Sequence, residues 1–239
     1  AILNPWRQDC PYPFQALCGA GVAFKLGQAL CCRMGEEEKI WDYLDLAALG
    51  TVADVVPLRE ENRILVASGL QQMEQVLRPG LGAIRAAAGI ENKIITTEEI
   101  AFIIAPRLNA AGRMGDAARA LDLLLTKEKD KAYLLAQELQ EENSRRQALE
   151  SKIFKDACTL VAEGPPEKVG RSFLLLAREG WHPGVLGIVA SRMVERFSRP
   201  VMLIALEGGT GQGSGRSFGD FNLGAALQQC STLLRGFGG

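Results

Sequence analysis

Apolar side chains at Leu17, Val22, Phe24, Leu26 and Leu30 recur at close to helical spacing and predict a helix within residues 12–34, with Gly35 as its stop. Further helices are predicted over residues 40–50 and 61–77, the second closed by Arg78-Pro79-Gly80. Thr96-Thr97-Glu98-Glu99 reads as a helix start, because a Thr cap followed by acidic residues suits the positive end of the helix dipole. Pro106 is expected to terminate or kink that helix. Residues 117–126 predict a short helix. Residues 129–162 carry one amphipathic pattern through Leu134, Leu135, Leu139, Leu149, Ile153, Phe154 and Val161, a helix of roughly 50 Å. Its middle, residues 140–146, is entirely polar, so it reads as a bridge that is dry at both ends and wet between.

After Glu163-Gly164-Pro165-Pro166-Glu167 the pattern changes to alternation. Residues 173–177 form a short apolar run of strand length, 185–197 a helix, 201–206 a strand, 213–218 a third strand and 222–234 a helix. Strands alternating with helices imply an α/β sheet domain. The expected fold class is therefore α/β: a mainly helical region, a long linking helix, then a small α/β domain beginning near residue 164.

Composition narrows the class. The chain has 239 residues, 47% hydrophobic and 23% charged, which suits one large globular domain or two small ones and excludes disordered and collagen-like chains. No apolar stretch approaches the roughly 20 residues a membrane-spanning helix needs. Six cysteines form no Cys-x-x-Cys pair and sit mostly among apolar neighbours, as buried free thiols do; a reducing cytoplasm is the expected compartment. The net charge of −1 hides a gradient, from −3 over residues 1–126 through −1 over 127–163 to +3 over 164–239. That asymmetry is compatible with a cation site at one end and an anion site at the other. The chain opens at Ala1 without Met and closes on Gly238-Gly239, so both ends look cut from something longer.

Four places could carry chemistry. Asp54 lies among apolar neighbours in residues 49–58, where burying a carboxylate is costly unless a metal, a cation or backbone N–H groups compensate; metal ligation stands beside capping or ion pairing. One carboxylate is not a two-metal centre, and the chain has one His. Arg107, Asn109 and Arg113 follow the expected helix end, with small residues between them that would let the backbone approach a phosphate while Arg makes forked bonds; a solvated loop explains them equally well. His182 sits in a Gly-rich turn leading into a helix, suited either to an anion or to a structural hydrogen bond. In Gly211-Gln212-Gly213-Ser214-Gly215-Arg216-Ser217, alternate glycines in a strand suggest close approach by a ligand or another backbone. Ser214, Arg216 and Ser217 supply two hydroxyls and a cation matched to phosphate, and a plain glycine-rich hairpin is the alternative.

With those residues in hand, the chain resembles the DHH phosphoesterase superfamily, in particular its single-strand-specific 5′–3′ DNA exonucleases. The resemblance is carried by Asn4-Pro5, Tyr12-Pro13-Phe14, residues 19–26, 49–58, 107–113 and 180–192, and residues 213–217 followed by Phe221-Asn222-Leu223. It implies that residues 1–115 are the later part of a DHH domain, 116–163 a helical linker and 164–239 a DHH-associated nucleic-acid-binding domain. It implies Asp54 as a ligand of a Mn²⁺ or Mg²⁺ pair and Ser214 and Arg216 as contacts to a 5′ phosphate or the backbone. Arg107, Asn109 and Arg113 would line the cleft, with His182 a further contact and single-stranded DNA the partner. The superfamily's Asp-x-Asp and Asp-His-His motifs would precede position 1, and its Gly-Gly-His motif stops here at Gly238-Gly239. A DHH enzyme acting on short oligonucleotides and a non-catalytic strand-binding module remain open beside the exonuclease.

Overall fold

The computed structural model describes residues 2–75, 78–164 and 172–238. It comprises two compact units, Ala1–Asn143 and Ser144–Gly239.

The first unit is helical. α1 (Gly19–Met34) starts later than its apolar spacing suggests, because Phe14, Ala16 and Leu17 are buried in the segment before it and the Cys18 thiol accepts from the Gly21 N–H at 3.3 Å as its cap. Gly35 ends it in the left-handed conformation at φ 69°, as the sequence predicts. A 3₁₀ turn over Glu37–Tyr43 leads into α2 (Leu44–Ala53), and α3 (Glu60–Gln75) follows. The expected end of α3 at Leu77 lies outside the described residues. Arg78-Pro79-Gly80 does not only stop a helix; it opens one, α4 (Pro79–Ala87), with Pro in the first turn where its missing N–H is harmless.

Pro106 gives a second correction. α5 (Thr97–Glu99) opens on the expected Thr96 cap, whose hydroxyl accepts from the Glu98 N–H at 3.1 Å while Glu99 reaches back to the Thr96 N–H. The chain then makes a π turn over Ile100–Ile104, in which the Ala105 N–H bonds to the Ile100 carbonyl, and continues directly into α6 (Ala105–Met114). The π turn places Pro106 in the first turn of α6, so termination, the first of the two outcomes expected of it, does not occur. α7 (Ala118–Leu125) follows. Leu81, Ile84, Ile100, Ile104, Ala111, Leu123, Ala132, Ala136 and Leu139 form the larger core of this unit. Phe14, Leu17, Phe24, Ile40, Ala47 and Leu65 form a second.

α8 (Lys129–Ala162) is the single long helix expected, and the boundary between the units falls within it. Its polar middle is wet on one side only: Glu141, Ser144 and Arg145 are exposed, whereas Asn143 and Arg146 are buried at 2% and 9% exposure and the Arg146 guanidinium meets Glu150 at 2.9 Å.

In the second unit, β1 (Leu174–Glu179) and β2 (Val201–Glu207) are parallel and β3 (Thr210–Arg216) is antiparallel to β2, in the order β1-β2-β3. The parallel pair is joined by α9 (Pro183–Phe197), which packs against β2 and β3. Val201, Leu203 and Ala205 alternate into the core, as do Val185, Leu186, Val189, Ala190 and Met193 from α9. The β2–β3 hairpin turns on Gly208 and Gly209, both at positive φ, which a two-residue turn of this kind requires. α10 (Leu223–Gln229) is shorter than predicted and gives way to a 3₁₀ turn over Ser231–Leu233. Within this unit Arg192 pairs with Glu150 at 2.9 Å and lies 4.1 Å from the Phe154 ring centroid, which ties α9 to the second half of α8. The described cysteines are all free, but only Cys18 is fully buried, and Cys32 and Cys230 are exposed.

Candidate functional site

In the first unit, Asp54 is the C-cap residue of α2, and it is exposed. The apolar residues around it do not enclose it: Val55 stands in the left-handed region at φ 56° and is 85% exposed. The cost of burial that suggested a metal ligand therefore falls elsewhere, on Asp45, which is 2% exposed on the same helix. Asp45 accepts from Arg78 Nε at 2.5 Å and from the Leu46 N–H at 2.8 Å. Arg78 also donates to the Asp42 carbonyl and lies over the Tyr43 ring, so Asp45 is a braced structural carboxylate. The sequence signal for it was present, an Asp inside the apolar run 44–49. Among the described residues no group of three or more His, Cys, Asp or Glu side chains is placed to hold a metal ion. The described residues thus do not by themselves fit a two-metal centre.

Arg107, Asn109 and Arg113 lie on α6 and not in a loop. The small residues between them serve packing, since Ala110 and Ala111 are fully buried. Asn109 and Arg113, four residues apart, are both exposed and share one face. Arg107 faces elsewhere: its Nε donates to Gln140 Oε1 of α8 at 2.7 Å and its Nη1 to the Ile103 carbonyl at 2.6 Å. Burial lowers the Arg107 guanidinium pKa from its ordinary value, though Arg remains a cation throughout the physiological range. The three residues therefore do not form one surface.

A polar cluster holds the entry segment of this unit. The Tyr12 hydroxyl donates to Glu61 at 2.8 Å, and Lys25 Nζ lies 2.8 Å from the same carboxylate. Burial pushes the Glu61 carboxyl up, but the hydrogen bonds from Lys25 and Tyr12 outweigh it and leave it below the usual range.

The second unit brings its predicted residues together more closely. Period-two alternation puts Gly211, Gly213 and Gly215 on one face of β3 and Ser214 and Arg216 on opposite sides of Gly215, sharing the other face. A side chain in place of any of these glycines would meet protein atoms. A Cβ on Gly215 would stand 2.6 Å from Leu223 and 3.0 Å from Met202, and one on Gly211 2.8 Å from Ile204. Protein side chains crowd the places where Cβ atoms would stand, as in the hairpin alternative, although Gly211 and Gly213 themselves are exposed. On the other face Ser214 and Arg216 lie over the first turns of α9: a Cβ on Gly187 would be 3.1 Å from both Ser214 Oγ and Arg216 Nη2. Arg216 Nε donates to Ser191 Oγ at 3.1 Å and Nη1 to the Gly215 carbonyl at 2.8 Å. The guanidinium is exposed yet held in place, beside a hydroxyl and a side-chain-free turn, an arrangement suited to an anion oxygen.

His182 and Ser217 have local duties. His182 caps α9, its Nδ1 accepting from the Gly184 N–H at 3.1 Å, so this ring nitrogen occupies the N–H that the Gly-rich turn was expected to offer an anion. Ser217 follows the end of β3, and its Oγ accepts from the Leu223 N–H at 3.3 Å at the start of α10. Gly187 and Ser191, which complete the surroundings of Arg216, were not singled out from the sequence. Their signal is the four-residue spacing of a small residue and a hydroxyl on one helix face.

Residues 170–239, within the second unit, match the DHHA1 domain family. The whole chain is 39% identical to the single-stranded-DNA-specific exonuclease RecJ of Bacillus subtilis, covering 30% of that protein, and 39% identical to RecJ of Escherichia coli, covering 44%. Over 96% of the chain the fold superposes on Thermus thermophilus RecJ in complex with Mg²⁺, with a TM-score of 0.81, 40% identity and 35% of that chain covered. A RecJ structure bound to manganese gives a TM-score of 0.80 at 40% identity, with 56% of that chain covered. The chain is similar to one part of the RecJ exonucleases and spans less than half the length of these two curated relatives. Among the described residues no helix is long and apolar enough to cross a membrane.

Proposed function

We propose that this chain forms part of a metal-dependent 5′–3′ exonuclease that hydrolyses single-stranded DNA in repair and recombination in the cytoplasm, and that its second unit holds a phosphate of the strand. The observation that carries the second half of this reading is Arg216, fixed by Ser191 and the Gly215 carbonyl beside Ser214 over the Gly187 turn. Arg presents a planar fork of donors to phosphate oxygens, and a fork held in advance loses less freedom on binding. The relatives, named for action on single-stranded DNA, support the substrate. In domain terms residues 1–115 are the later part of the DHH domain, 116–163 the linker and 164–239 the DHH-associated domain.

Asp54 contributes one carboxylate to a Mn²⁺ or Mg²⁺ site whose remaining donors lie outside the described residues. Such ions activate water and neutralise charge on a phosphodiester. Asn109 and Arg113 present one exposed face of α6 to the strand backbone, and Arg107, anchored to Gln140, supports that helix as a half-buried cation. His182 retains Nε2 for a ligand while Nδ1 caps α9, and Ser217 retains its hydroxyl proton.

The test compares binding of 5′-phosphorylated and 5′-hydroxyl single strands by the full-length protein. Arg216→Ala weakens the phosphorylated strand more. Equal loss for both would reduce Arg216 to a general backbone contact, whose contribution falls with salt but not with end chemistry.

A further inference from the structure

The anion face of β3 depends on a helix that contributes no charge to it. Ser191 lies on α9, and its hydroxyl does two things at once: it donates to the Gly187 carbonyl at 3.1 Å, four residues back along the helix, and accepts from Arg216 Nε at 3.1 Å. A hydroxyl has one proton. Committing it to the Gly187 carbonyl turns a lone pair outward, toward the guanidinium. Gly187 is also the residue over which Arg216 Nη2 and Ser214 Oγ converge, each 3.1 Å from where a Cβ would stand. One turn of α9 therefore both aims the arginine and leaves space beneath it.

We infer that Ser191 is a positioning residue for Arg216, and that glycine at 187 is required so that Arg216 and Ser214 can present their donors to the same anion oxygen. The ligand is the terminal phosphate monoester of a nucleic acid strand, and the inference rests on the reading of Arg216 given above. Ser191 touches the ligand only through the arginine. Without its acceptor the guanidinium keeps its charge but loses the hydrogen bond that fixes its Nε edge. The loss should therefore fall on discrimination between strand ends more than on general attraction to the backbone.

The experiment measures equilibrium binding of 5′-phosphorylated and 5′-hydroxyl oligonucleotides to the full-length protein by fluorescence anisotropy, with divalent ions chelated so that nothing is cleaved. Ser191→Ala is expected to lower the preference for the phosphorylated end about fivefold, the effect of one net hydrogen bond. Ser191→Thr, which keeps the hydroxyl, is expected to retain the preference. Gly187→Ala is expected to lower it with Ser191 intact, and Ser191→Ala added to Arg216→Ala to change nothing further, because the two act as one unit. Should Arg216→Ala lose the preference while both Ser191→Ala and Gly187→Ala retain it, the positioning inference is overturned and the phosphate reading stands. Should Arg216→Ala itself retain the preference, the phosphate reading falls and the inference with it. A loss in Ser191→Ala that is equal for both strand ends, or that persists in the Arg216→Ala background, would make Ser191 a structural residue and overturn the inference.

Discussion

Arg78→Ala offers a direct test of how the first unit is built. The Asp45 side chain is 3% exposed and that of Arg78 23%, so truncating the arginine strands a carboxylate that water cannot reach through the fold. Breaking a buried pair from one side costs about 3–5 kcal/mol, because the remaining charge is left uncompensated. Two features place the expectation at the lower end, near ~3 kcal/mol: the Leu46 N–H still donates to the carboxylate, and Arg78 is partly solvated. The assay is urea unfolding of the full-length protein followed by tryptophan fluorescence, with Trp41, whose carbonyl accepts from Gln72, reporting on this unit. The midpoint should fall with little change in slope. Replacing both partners together, Asp45→Leu with Arg78→Met, should recover most of the loss, since it removes the stranded charge as well as the pair. A loss below about 0.5 kcal/mol for Arg78→Ala, within the range of ordinary surface substitutions, would mean that Asp45 is solvated and that the pair does not brace α2.

Two further predictions follow from other parts of the molecule. Asp54→Ala in the full-length protein should abolish Mn²⁺-dependent nuclease activity while leaving strand binding in chelator intact; near-normal turnover would remove Asp54 from the metal site. Glu61, held below its ordinary pKa of 4.5 by Lys25 and Tyr12, contributes stability that is present above that value and lost as pH falls through its lowered folded value. Glu61→Gln should therefore flatten the acid limb of the stability profile by roughly 1 kcal/mol or less, as suits a partly exposed cluster, and an acid limb unchanged in Glu61→Gln would refute the assignment.

Much of the fold was legible because it rests on local periodicity. The spacing of apolar residues gave α8 its bounds, and the alternation after residue 172 gave the strands and the crossover helix. The failures share a cause in that proline and glycine were read by rule while their neighbours decided the outcome. Pro79 looked like a stop and Pro106 like a stop or a kink, yet each sits in a first helical turn, Pro106 because a π turn before it shifts the phase. Gly211, Gly213 and Gly215 looked like a ligand's approach path; only three-dimensional packing reveals Met202, Ile204 and Leu223 across them. In the candidate sites the same limit separates Asp54 from Asp45. Both are acids in apolar segments, and burial is decided by where the helix turns each one. Ser214 and Arg216 were readable from type and spacing, whereas Ser191 is 25 residues from Arg216 along the chain.

β3 has two faces with opposite tolerances, and that ties the proposed anion site to hairpin pairing. Shifting this strand by a single residue against β2 would turn Ser214 and Arg216 toward Met202 and Ile204, and would bring bare glycine over α9. The sheet could keep its hydrogen-bond ladder in that alternative alignment, but the arginine would be gone from its helix. One inserted or deleted residue at Gly208-Gly209 therefore threatens recognition before it threatens folding. The length of a two-residue turn, remote from any phosphate, is a determinant of whether this surface can hold one.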